Sequence, residues 1–124
     1  MMIKLGNILE INNVLKSIID NTELKIDALF KFKLLGIMKS FEMPVANFDA
    51  IRNEKIREYG KENEDGNISI SNDDKDAREK FTKDVNKIIE SDIDVSIQKL
   101  KPTDVFDKGL PADYLVHLYL IIEE

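Results

Sequence analysis

Between Ala77 and Gln98 the apolar residues change their period, and that change constrains the fold more than any other feature of the chain. Ala77, Phe81, Val85, Ile88 and Ile89 recur every three or four residues, the spacing of one helix face. Immediately afterwards Ile93, Val95 and Ile97 alternate strictly with Asp92, Asp94, Ser96 and Gln98, the period of a half-buried strand. A helix feeding directly into a strand commits the chain to mixed α and β structure. The helix start is marked as well, because Ser71 to Asp76 places a capping residue and three Asp where a helix N-terminus favours negative charge.

The remaining segments are read by the same rules. Ile3, Leu5, Leu9 and Ile11 occupy odd positions, so the first eleven residues are expected to form a short strand interrupted at Gly6-Asn7. Asn12 or Asn13 would then cap a brief helix carrying Val14, Leu15, Ile18 and Ile19. A second helix is predicted from Thr22, with Leu24, Ala28, Leu29, Phe32, Leu35 and Phe41 on a broad apolar face. Pro44 lacks an N–H and disfavours the α region for Met43, so this helix is expected to stop there. A third helix would follow, with Val45, Phe48, Ile51, Ile56 and Tyr59 on a narrower stripe, ending at Gly60. The two together predict an antiparallel helical hairpin. A polar loop from Lys61, a short strand around Ile68 and Ile70, and a terminal helix or strand over 112–122 complete the order β-α-α-α-β-α-β-α. The expected architecture is a helix-rich α+β domain with one small sheet of short strands.

With 124 residues the chain is read as one domain, 1–124, and it buries roughly two thirds of the surface its unfolded form exposes. It contains no Cys, which removes disulfides, thiolate nucleophiles and thiolate metal sites together and fits a reducing compartment. No basic and apolar leader opens it and no apolar run reaches the ~18 residues of a membrane span, so synthesis in the cytoplasm, without a membrane partner, is expected. The net charge of -6 works against general phosphate-backbone binding, and no direct nucleic-acid contact is expected.

Catalytic patterns are sparse. The single His117 lies in an apolar segment and reads as a core or interface histidine, and no Gly-x-Ser-x-Gly elbow accompanies it. Asn63, Asp65, Gly66 and Ile68 fall on calcium-loop positions three, five, six and eight. Lys61 and Asn72 fail at positions one and twelve, so the segment reads as an Asp-Gly turn entering a strand. Asp73, Asp74 and Asp76 read as a helix start, and Asp92 and Asp94 as a solvated strand face. The five glycines are scattered, which excludes a P-loop. Lys25, Lys31, Lys33 and Lys39 read as the solvated side of the second helix. No cofactor or metal is assigned. Phe30, Ile37 and Met38 widen the apolar coverage of that helix beyond one stripe, and with Phe41 and Phe48 they are the candidate anchors for a protein partner on the expected hairpin.

The order of features carries a resemblance. An Ile-Lys-Leu opening and a long helical region precede Arg57-Glu58-Tyr59-Gly60-Lys61-Glu62-Asn63-Glu64-Asp65-Gly66-Asn67. A helix with Phe81, then Ile88-Ile89-Glu90 running into the alternating strand, and a Leu115-Val116-His117-Leu118 segment complete it. The pattern resembles a family of small, functionally uncharacterised phage and prophage proteins found among tail and late genes. The resemblance implies a non-enzymatic protein made in the bacterial cytoplasm, a virion structural component or assembly factor that contacts other virion proteins or a second copy of itself. The alternative it leaves is a small phage-encoded inhibitor of a host defence system, for which an acidic compact domain is equally suitable.

Overall fold

The computed structural model describes all residues, 1–124. Strand β1 (Met2–Lys4) runs straight into helix α1 (Leu5–Asp20), which turns back into helix α2 (Ala28–Tyr59). Strands β2 (Lys61–Glu62) and β3 (Ile68–Ser69) form a small antiparallel hairpin before helix α3 (Lys75–Ile89). Strand β4 (Asp92–Asp94), short helices α4 (Pro102–Phe106) and α5 (Ala112–Leu115), and a 3₁₀ turn (Tyr119–Ile121) end the chain. This is a helix-rich α+β architecture, with two separate two-stranded sheets in place of the one expected.

The opening strand is shorter than its alternation suggests, because Leu5, Ile8, Ile11, Leu15 and Ile18 line one face of a helix that starts at Leu5. Asn12 and Asn13 therefore lie inside α1 instead of capping it. The ladder and the helix meet without a break: Ile3 pairs with Ile93, and the Leu5 N–H donates to the Ser91 carbonyl at 2.9 Å, satisfying a donor that the helix itself cannot.

The helical hairpin is present, but α1 and α2 form it. Its second arm begins at Asp27, whose carboxylate accepts from the Phe30 N–H at 2.8 Å, and not at Thr22, which lies in the connecting loop. Pro44 does not divide the second arm; α2 passes through it as one helix of 32 residues. The lost hydrogen bond would have gone to the Ser40 carbonyl, and both Ser40 and Pro44 border an open groove. Phe41 and Phe48 sit one turn to either side of Pro44, and an unbroken helix delivers both to the same core. Burying each contributes about 1.5–3 kcal/mol, enough together to offset the ~3 kcal/mol cost of an interior proline.

At the end of α2 the chain must turn sharply into β2. A Cβ on Gly60 would stand 2.4 Å from the Ile56 carbonyl oxygen and 2.8 Å from that of Ser69, so only glycine lets the helix end and β3 approach this closely. The β2–β3 turn is the Asp-Gly turn expected, with Gly66 at φ 82°. Asn63 Oδ1 accepts from the Asp65 and Asn67 N–H groups at 3.1 and 3.0 Å, which commits that side chain to the backbone. Helix α3 starts where the sequence places it, with Asp74 accepting from the Ala77 N–H at 3.1 Å.

The expected alternation holds in burial from Ile93 to Gln98, with Val95 buried and Asp92, Asp94, Ser96 and Gln98 exposed. The ladder covers only β4, because β1 offers just three residues to pair with. The core is one cluster of 17 side chains drawn from β1, α1, α2 and the segment after β4. Leu100, Val105, Leu118 and Ile121 close it, and the 112–122 region is neither one helix nor one strand but short turns held by a parallel bridge between Leu100 and Ile122.

Candidate protein-contact site

Of the five candidate anchors, Phe30, Ile37, Phe41 and Phe48 are buried in the core and Met38 is half-buried against it. They recur along α2 at spacings that place them on one face, and α1 covers that face with Ile8, Ile11, Leu15 and Ile18. The broad apolar surface read from the sequence is thus satisfied within the chain. The breadth arises because α2 is packed both by α1 and by the closing segment, which is tied to it through Lys33 to Asp104 (2.9 Å) and Lys108 to Asp27. These hydrogen bonds hold the Asp104 and Asp27 carboxyls below their ordinary pKa, and the backbone N–H of Phe30 adds to the effect at Asp27.

The apolar side chains that α2 leaves to solvent are others. Leu29, Phe32 and Met43 are 64%, 74% and 68% exposed, and Leu35 and Ile51 are exposed as well. Met43 and Ile51 border a groove of about 720 Å³ beside Pro44, whose opposite wall is Ile88 with the β4 segment through Ile93 and Val95. Phe48 forms part of its floor. Ser40 fixes one end by donating its hydroxyl to the Ser96 carbonyl at 2.9 Å, which ties α2 to the chain just after β4. Charge is scarce here: Asp94 is the only ionisable side chain in the lining. An apolar trough with a few neutral polar groups is suited to side chains of another protein rather than to a charged metabolite. The signal for Met43 and Ile51 lay in their eight-residue separation around Pro44, which the expectation of a helix break there concealed.

The other singled-out residues fall into structural roles. His117 is half-exposed, not in the core, and its Nδ1 faces Glu10 Oε1, linking the C-terminal segment to α1. Its neighbour Leu118 takes the buried position. Asp74 is a helix cap, while Asp73, Asp76, Asp92 and Asp94 are exposed. No three His, Asp or Glu side chains converge on one point. Of the lysine row, Lys33 and Lys39 form ion pairs with Asp104 and Glu42, and Lys25 and Lys31 stand in solvent. No helix is long and apolar enough to cross a membrane.

No family model, no curated protein and no solved structure matches the chain.

Proposed function

We propose that the chain acts by protein–protein contact, without catalytic chemistry of its own, as a structural component or assembly factor of a phage particle. The observation that carries the contact reading is the apolar groove beside Pro44, rimmed by the exposed Met43 and Ile51. Large apolar side chains held in solvent on a rigid helix, next to a trough that a partner's side chains can enter, are the usual anatomy of an interface centre. The phage assignment rests on the sequence pattern from Arg57 to Asn67 and on the helix-strand order that follows it. The partner on this reading is another virion protein.

The test is the content of purified particles. The wild-type chain is expected in a fixed copy number by quantitative mass spectrometry, and the double variant Met43→Asp, Ile51→Asp is expected to fall by about tenfold while its circular dichroism stays unchanged. Both positions are exposed, so the variant tests contact and not folding. Absence of the wild-type chain from particles, with stoichiometric capture of one host protein, would overturn the structural role in favour of the inhibitor.

A further inference from the structure

A second groove, of about 1010 Å³, lies between α3, the C-terminal half of α2 and the β2–β3 hairpin. We propose that it receives an acidic amphipathic helix of a protein partner. The inference rests on the contact reading above and adds to it the chemistry of the partner.

One side of the groove is a ridge of α3 that recurs every three or four residues from Lys75 through Thr82 and Asn86 to Glu90. At 1.5 Å per residue this is a straight wall of about 22 Å, four turns of helix. The apolar side chains of the lining are Ile56 of α2, Ile68 and Ile70 at and after β3, and Phe81 of α3 itself. Ile68 is itself exposed, and Ile56, Ile70 and Phe81 are half-buried, so the apolar strip is open to a partner. A helix laid along such a wall packs its own ridges against it and presents apolar side chains at positions i, i+3, i+4 and i+7 to the strip.

The charge points to the sign of the partner. Arg52, Lys75, Arg78, Lys83 and Lys87 face Glu79 and Glu90 in the lining, a local charge of +3 on a chain whose net charge is -6. All five cations are exposed and none is in an ion pair, so no carboxylate of the chain neutralises them at contact distance. A row of unpaired cations along a groove concentrates positive potential there and attracts carboxylates. Nucleic acid fits less well, because the strip is aliphatic with one aromatic ring where a strand of bases needs several to stack on, and because Glu79 and Glu90 would oppose the phosphates.

The test uses the full chain as bait for a displayed library of random peptides of about 16 residues, the length that spans the wall. Enriched peptides are expected to be net acidic, with apolar residues at helical spacing. The best of them, labelled and followed by fluorescence anisotropy, should bind Lys83→Glu, Lys87→Glu at least about tenfold more weakly and Ile68→Asp likewise, with all variants folded by circular dichroism. Met43→Asp, Ile51→Asp should bind it unchanged, which separates this groove from the one beside Pro44. No enrichment, enrichment of neutral or basic peptides, indifference to the charge reversal, or equal binding of a single-stranded oligonucleotide would each overturn the proposal. None of these results would bear on whether the chain is found in particles.

Discussion

Tyr59 donates its hydroxyl to Asp84 Oδ2 at 2.6 Å, joining the last turn of α2 to the middle of α3. That bond is the main reason the Asp84 carboxyl is held below its ordinary value of 3.8, with Lys55 adding to it across 3.8 Å. Asp27 and Asp104 are lowered in the same direction by their lysine partners. A carboxylate with a lowered folded pKa contributes stability that is complete above its unfolded value and is lost as pH falls through the folded one. Unfolding should therefore become easier as pH drops below about 4. In Tyr59→Phe the Asp84 carboxyl, followed by NMR titration, should move up toward its ordinary value, and the variant should lose less stability on acidification than the wild type. An unmoved Asp84 titration would show that the hydroxyl bond does not hold the two helices in solution.

At the scale of elements, the decisive feature is α2. Its hydrogen-bond ladder has a gap at Pro44 that the core on both sides tolerates, so Pro44→Ala should restore a donor without moving Phe41 or Phe48. The expected gain is about 1–3 kcal/mol in urea unfolding with helical content unchanged. Two separate helices at this point would instead leave stability unaltered, since the proline would then sit where a helix begins. Gly60 behaves in the opposite sense. Gly60→Ala puts a methyl group against the Ile56 and Ser69 carbonyls, and a loss of about 1–3 kcal/mol is expected, with the β2–β3 amides losing hydrogen-exchange protection first.

For the whole molecule, the question is what closes the core. Leu118 and Ile121 are fully buried although they lie in a 3₁₀ turn and its approach, because the Leu100 N–H donates to the Ile121 carbonyl at 2.7 Å and the Glu123 N–H to the Leu100 carbonyl at 2.8 Å. Ile121→Ala should cost about 2–5 kcal/mol, a large fraction of the total for a domain of this size. Phe32→Ala, a larger truncation on the exposed side of α2, should stay within about 0.5 kcal/mol. Similar losses for the two would mean that the exposed face of α2 is covered in solution, as it would be in a self-associated form.

The features legible in the chain were those set by neighbours a few residues apart: α3 with an acidic start between Ser71 and Asp76, the Asp65-Gly66 turn, the inward alternation of Ile93, Val95 and Ile97, and the α+β class that follows. Each depends on a local period or a local backbone preference, which the chain carries wherever it folds. Packing between distant segments set the rest. It ran α2 through Pro44, extended α1 back to Leu5 and turned Phe30, Ile37, Phe41 and Phe48 from expected partner anchors into core. It also gathered the five groove cations, which lie at Arg52 on one helix and from Lys75 to Lys87 on another. For the helices and the core the burial of side chains distant in sequence outweighs the local preference. A hydrophobic pattern states that a face must be covered, and only packing states by what.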